Sequence, residues 1–291
     1  MAPIFKTRSK GTETLRRTLV ARSGNRFKLD RALRENFWLK GDSTAATLFP
    51  LFDGDHVADI LIENLTFDGN KANNENLNGN YAGCIFLQDC NRITMRGLTL
   101  RNYNGDGISW QICHDVVVER CHSHDNAGLG LHPGSGSKRP LIRQNKLERN
   151  RIGLYFCWGV THGLAENNVI DASQSEGISI GHCDTDNLIR DNQVTRSGKV
   201  GILFRGDEKA FAAHRNCLEN NRIVDNGAET GIGVDMQGQT EGVVIRRNEI
   251  RETRDPAKRI GIRIGADTKG VQLADNRIEG FAEPIKDCRK S

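Results

Sequence analysis

Residues 141–157, LIRQNKLERNRIGLYFC, hold two short themes back to back. The first sets an asparagine between alternating apolar and polar residues; the second runs glycine, apolar, any residue, apolar. Variants of the first recur as ILIENLTFDGN (60–70), ITMRGLTLRNYN (93–104), VVVERCHSHDN (116–126), LAENNVIDAS (164–173), LIRDNQVTRS (188–197), CLENNRIVDN (217–226), VIRRNEIRET (244–253) and QLADNRIEGF (272–281). The second follows each time within a few residues, for example GCIFLQ, GDGISWQ, GLGLH, EGISIGH, VGILFR, GIGVDMQ and IGIRIG. Alternation with period two is the mark of a strand, and no stretch between themes has room for a crossover helix.

With the asparagine as register mark, the slots are Asn64, Gly97, Cys121, Asn145, Asn167, Asn192, Asn221, Asn248 and Asn276, in steps of 33, 24, 24, 22, 25, 29, 27 and 28. A coil of about two dozen residues with occasional loop insertions explains that series. Each strand then stacks parallel on its equivalent one coil away, at about 4.8 Å. An asparagine repeated at one turn can bond its neighbours up and down the stack, which satisfies backbone groups there. The expected fold is all-β, a single-stranded parallel β-helix or solenoid.

From about residue 56 to 285 the repeat pattern resembles the right-handed parallel β-helix proteins of the pectin-lyase-like superfamily, which are mostly carbohydrate-active enzymes, with some adhesins and phage tailspikes. The resemblance implies a right-handed solenoid over 56–285, an N-terminal cap and first partial coil over 1–55, and a C-terminal tail over 286–291. It specifies fold better than chemistry.

Composition narrows the class. Thirty-one glycines, six prolines and only 6% aromatic residues suit many short strands. The net charge of +4 is spread along the chain, with no basic stripe interleaved with aromatics, so no nucleic-acid partner is expected. MAPIFKTRSKGTETLRRTLV lacks the apolar run of a secretory signal, and no segment is apolar enough to span a membrane. The resemblance nevertheless favours a secreted or periplasmic setting. None of the eight cysteines forms a CxxC pair, which disfavours zinc; they read as small buried residues, mostly free thiols.

Alternation inside the second theme assigns two outward columns. The first reads Phe86, Ser109, Gly130, Tyr155, Ser179, Leu203, Asp235, Arg263; the second reads Gln88, Gln111, His132, Cys157, Gly181, Arg205, Gln237, Gly265. His132, Tyr155, His182 and Arg205 are thereby expected on one wall as catalytic candidates, joined by Asp235. Gln111, Lys138, Arg139, Asp207, Glu208, Gln237 and Arg263 are expected to touch substrate. Trp110 alternates inward and is expected in the core, and His122 and His124 face solvent elsewhere.

NGDGIS and EGISIGH look like the Asn-Thr-Asp-Gly-Ile-Asp and Gly-His-Gly-Ile-Ser-Ile-Gly motifs of polygalacturonases, yet the positions expected to hold catalytic aspartates, Ser109 and about Gly128, are not acidic. A set of bases and cations suits β-elimination or C5 epimerisation of a uronic acid instead. Lyases and epimerases of the resembled fold use similar residue types, sometimes with Ca²⁺, for which Asp106, Asp125 and Asp207 are the acidic positions here. The substrate expected is an acidic poly- or oligosaccharide. A glycoside hydrolase built on Asp235 with Asp207 or Glu208 is the alternative. A non-catalytic glycan-binding β-helix is a further one, and would leave His132 and Tyr155 unpaired.

Overall fold

A computed structural model describes residues 17–34, 50–74, 83–228, 231–255 and 258–290. Most of the expected cap (1–16, 35–49) and the middle of the polar insertion after Asp68 (75–82) lie outside these residues. The chain divides into two units, 1–49 and 50–291. Within the first, Leu19–Ser23 pairs antiparallel with Arg26–Leu29.

The second unit is an all-β, right-handed parallel solenoid. A ten-stranded sheet runs from Phe52–Asp55 to Glu283–Asp287, and two nine-stranded sheets run from Ala58–Glu63 to Gln272–Ala274 and from Thr66–Asp68 to Arg277–Glu279. These are called here the first, second and third faces. Every coil visits them in that order, and every pairing between coils is parallel.

The glycine of the second theme is a register mark with a steric cause. A Cβ on Gly130 would lie 2.5 Å from the Gly153 carbonyl oxygen, and one on Gly153 would lie 2.7 Å from that of Gly177. No side chain fits there. Behind that glycine, inward residues fill the core: Ile108 and Trp110, Leu131, Leu154 and Phe156, Ile178 and Ile180, Ile202 and Phe204 are all without exposure. Each such side chain contributes about 1.5–3 kcal/mol by leaving water. Trp110 is in the core, as its alternation predicts.

The asparagine ladder stands between the second and third faces, displaced by one residue from the expected register in places. The side chain of Asn168, not Asn167, accepts from the Asn145 backbone N–H at 3.0 Å and donates to the Ile142 carbonyl at 2.9 Å. Asn192, Asn221, Asn248 and Asn276 continue it at 2.8–3.0 Å. Asn167 takes the preceding left-handed position (φ 54°), and Asn64 and Gly97 fall in that same turning column. Two adjacent asparagines are interchangeable in a pattern; only the backbone separates the turning role from the bonding one.

Cys84, Cys90, Cys113, Cys121, Cys157, Cys183 and Cys217 are free thiols, and the first five are buried. No helix among the described residues is long and apolar enough to cross a membrane.

Candidate active site

On the first face, pairing aligns Phe86 with Ser109, Ser109 with His132, Tyr155 with Ser179, Ser179 with Leu203, Leu203 with Asp235, and Asp235 with Arg263. Leu131 pairs with Leu154, which sets His132 beside Tyr155. His132 therefore belongs to the first outward column, and Gly130 to neither. In GLGLH the mark is the second glycine; counting from Gly128 moved both residues out of place.

His132 and Asp106 form the centre of the site. His132 Nδ1 lies 2.9 Å from Asp106 Oδ2, and Asp106 Oδ1 accepts the Leu129 backbone N–H at 2.8 Å. A carboxylate can only accept, so Nδ1 carries a proton and Nε2 is the ring nitrogen left outside that bond. Ser109 Oγ stands 3.3 Å from the same Nδ1 and accepts from the Gln111 amide at 3.1 Å. His132 is 5% exposed, so its neighbours set its chemistry more than bulk water does.

Tyr155 meets the His132 ring edge-on, with centroids 5.4 Å apart. Burial pushes the Tyr155 phenol far up, and the nearby Arg205 guanidinium opposes the shift without cancelling it. Arg205 lies over the Tyr155 ring, 4.4 Å from its centroid. It donates to Ser179 Oγ at 2.9 Å, to the Phe156 carbonyl at 2.8 Å and to Asp184 Oδ2 at 3.3 Å, while its buried Nε has no hydrogen-bond partner among the described residues. Asp184 is unexposed and also accepts from the backbone of Gly159, Val160 and Gly181. Burial raises its pKa to about 7, against the lowering influence of Arg205 and those N–H groups.

Other candidates lie outside this cluster. His182 sits at the corner beyond the face; its Nδ1 is 2.9 Å from Asp207 Oδ1 and its ring stacks on Trp158 at 5.2 Å. Burial, then the Arg205 charge, lowers its pKa. Asp235 is 1% exposed and bound to Arg263 Nε at 2.7 Å and to the Gln237 amide at 2.7 Å. Arg205 thus pairs with Asp184, and neither with Asp207 nor with Asp235. Arg139 forms a two-pronged pair with Asp115 at 2.7 and 2.8 Å, one rung of a corner ladder that also includes Arg92 with Asp59 and Arg215 with Asp186. Lys138 is exposed at that corner, bridged to His114 and Thr161, and Glu208 is exposed in the loop after Arg205.

The Ca²⁺ expectation does not match the donors. Both oxygens of Asp106 are engaged as described; Asp125 meets Arg149 and His124, and Asp207 meets the His182 ring and backbone N–H. Each carboxylate has its own donors, and the three do not converge. Among the described residues only Asp55, His56 and Asp89 bring three possible ligand atoms together, at an exposed corner of the first coils.

Asp106, Ser109, Ser179 and Asp184 were not predicted as members of one site. NGDGIS contained a signal for Asp106, since the residue three before an outward position lies near the same face one coil on.

A family model described as a right handed beta helix region matches residues 53–216. The chain belongs to that family. Among solved structures, this right-handed β-helix protein is similar to the A-module of the Azotobacter vinelandii mannuronan C-5 epimerase AlgE6, at TM-score 0.54 and 19% identity, covering 71% of this chain and 59% of that one. It is also similar to the periplasmic alginate epimerase AlgG (0.51, 12%, covering 68% and 61%) and to the alginate lyase from Paenibacillus sp. str. FPU-7 (0.50, 13%, covering 70% and 74%). At these identities the likeness is one of fold, and the chain spans about three fifths of the length of the two epimerases. No curated protein matches the sequence.

Proposed function

We propose that this β-helix protein is a carbohydrate-active enzyme that acts on a uronate-containing glycan by β-elimination, or by the related C5 epimerisation. The observation that carries the reading is the Asp106–His132 pair set edge-on to a phenol kept protonated by burial.

In this reading Asp106 holds His132 in the tautomer that leaves Nε2 basic, and Nε2 takes the proton from C5 of the uronate. For elimination the C5–H electrons form the C4–C5 double bond as the C4–O4 bond breaks, and the Tyr155 hydroxyl protonates the departing O4. For epimerisation the C4–O4 bond stays intact and the Tyr155 hydroxyl gives its proton to the opposite face of C5, after which the phenolate regains a proton from water and His132 releases the one it took. Arg205 supplies positive potential beside the phenol and stabilises charge that develops on the substrate carboxylate.

Paired His132 and Tyr155 side chains support catalysis over simple glycan binding. The engagement of Asp235 with Arg263 and Gln237 supports it over a hydrolase that needs that carboxylate. A secreted or periplasmic setting goes with a polymeric substrate, and the neighbour AlgG is described as periplasmic.

The test is to incubate the protein with polygalacturonate, alginate and glycosaminoglycans and to follow absorbance near 235 nm, with proton exchange at C5 read in heavy water by NMR. A product or an exchange signal that disappears in His132→Ala supports the reading. No signal from any polymer, with reducing ends released from a neutral glycan, would overturn it.

A further inference from the structure

Two glycines at the ends of first-face strands have no backbone reason to be glycine. Gly134 and Gly181 lie outside the left-handed region. What a side chain would meet there also differs from Gly130 and Gly153, where the carbonyl of the next coil excludes one. A Cβ on Gly134 would lie 2.4, 2.6 and 2.8 Å from Oε1, Nε2 and Cδ of Gln111. One on Gly181 would lie 2.6, 2.8 and 2.9 Å from Nε, Cβ and Cζ of Arg205. Each glycine is a seat for a long polar side chain of an adjacent coil. Gln111 pairs with Gly134 one coil on, and Arg205 leans back across Gly181 to Ser179 and the Tyr155 ring. The two seats flank the coil that carries Tyr155.

Gln111 is 5% exposed and Ser109 is without exposure, so their hydrogen bonds have to be found inside the protein. The Gln111 amide N–H donates to Ser109 Oγ at 3.1 Å. The same oxygen stands 3.3 Å from His132 Nδ1, whose proton it shares with Asp106. A hydroxyl has two lone pairs and one proton. With one lone pair turned to Gln111 and the other to the Nδ1–H, the Ser109 proton points away from the ring. Without the amide donor a lone pair is freed, and the O–H can turn toward Nδ1, which favours the tautomer protonated at Nε2.

We infer that Gln111, seated on Gly134, is a positioning residue: by donating to Ser109 it keeps that hydroxyl from competing with Asp106 and so fixes His132 with its proton on Nδ1. Gln111, expected from the sequence to touch substrate, thereby acts through the ring. The inference rests on the proposed reading for its effect on turnover, and on hydrogen-bond geometry alone for its effect on the ring.

The test compares Gln111→Met, which keeps the length of the side chain and lacks the donor, with Gly134→Ala, which keeps the donor and pushes it off its seat. Melting temperatures establish that the variants compared are folded. Histidine is labelled with ¹⁵N, since nitrogen shifts distinguish a protonated from a bare ring nitrogen. His132 is assigned by the signal that His132→Ala removes, and spectra are taken at about pH 8, above the ordinary histidine range. In both variants the Nε2–H tautomer of His132 should gain share. On a uronate polymer that the wild type converts, kcat should fall about three- to tenfold, the worth of one hydrogen bond, with KM unchanged. In a Gln111→Ala background, Gly134→Ala should change neither readout further, because the atoms nearest its Cβ belong to Gln111.

Unchanged nitrogen shifts in both Gln111→Met and Gly134→Ala would overturn the inference. If they are unchanged while His132→Ala abolishes turnover, the positioning fails and the catalytic reading stands. If the shifts move in both variants and the wild type converts no uronate polymer, the positioning stands and the catalytic reading fails. Shifts that move only in Gln111→Met would overturn Gly134 as the seat.

Discussion

Two stacks of side chains run along this solenoid. At the corner between the second and third faces, Asn145, Asn168, Asn192, Asn221, Asn248 and Asn276 repeat one residue, each bonding the next coil in the same way. On the first face the stack changes at every step, through Phe86, Ser109, His132, Tyr155, Ser179 and Leu203. In the ladder, uniformity satisfies backbone groups that repeat. On the face, the sheet already satisfies the backbone, so side chains are free to differ, and there a histidine, a phenol and a guanidinium converge. Repetition marks scaffold; its interruption marks the place to look for chemistry.

The sharpest break of that comparison is His132→Ala. If the face is chemical, turnover per folded molecule should fall by about 10²–10⁴, the usual range for a general base, while stability falls by no more than about 1–3 kcal/mol from Asp106 losing its buried partner. A variant that unfolds and loses activity in proportion would place His132 with the scaffold.

Asn168→Ala should do the opposite. It deletes the acceptor of Asn145 N–H and the donor to the Ile142 carbonyl, both at buried positions. The expected loss is about 2–4 kcal/mol of stability, from groups left without partners. Denaturant titration checks it, and activity per folded molecule should stay near wild type.

Asp184 sharpens the comparison because it does a ladder's work with a charge. It bonds backbone N–H groups as the asparagines do, yet it also meets Arg205, and burial raises its pKa from 3.8 to about 7. The folded state therefore holds a proton that the unfolded chain has released between about pH 4 and pH 7, so this group's contribution to stability is full below pH 4 and is lost as the pH rises through 7. Asp184→Asn should be less stable overall, because part of its amide faces the Gly181 N–H. Relative to it, wild type should lose on the order of 1–3 kcal/mol from pH 4 to pH 7. Melting temperatures of both proteins across that range are the measurement; parallel curves would remove Asp184 as the titrating group.

The solenoid was readable because its causes repeat: alternation places the core, and the carbonyl of the next coil excludes a side chain from Gly130, Gly153 and their equivalents. The reading slipped where the pattern offers duplicates. ENN in LAENNVIDAS hides which asparagine turns and which bonds, and GLG before Leu131 hides which glycine marks the register. Tyr155 and Arg205 could be placed on one face, but the choice of Asp184 as the partner of Arg205, over Asp207 or Asp235, depends on side-chain direction across coils. Asp106 escaped for the same reason: its partners, His132 and the Leu129 N–H, lie a full coil away in sequence.

The smallest predicted effect tests the edge of the site. Arg139 was expected to touch substrate from the loop after His132, but it joins Asp115 in a corner ladder on which Asp59 with Arg92 and Asp186 with Arg215 repeat the same pair. Arg139 and Asp115 are about half exposed, at 53% and 44%, so water screens their attraction and the pair is worth about 0.2–1 kcal/mol. Arg139→Ala should therefore leave KM and turnover on any substrate unchanged and lower stability by no more than that. A raised KM would return Arg139 to the site, and would mean that a repeated, mutually paired ladder can also bind, which is the generalisation the comparison of the two stacks denies.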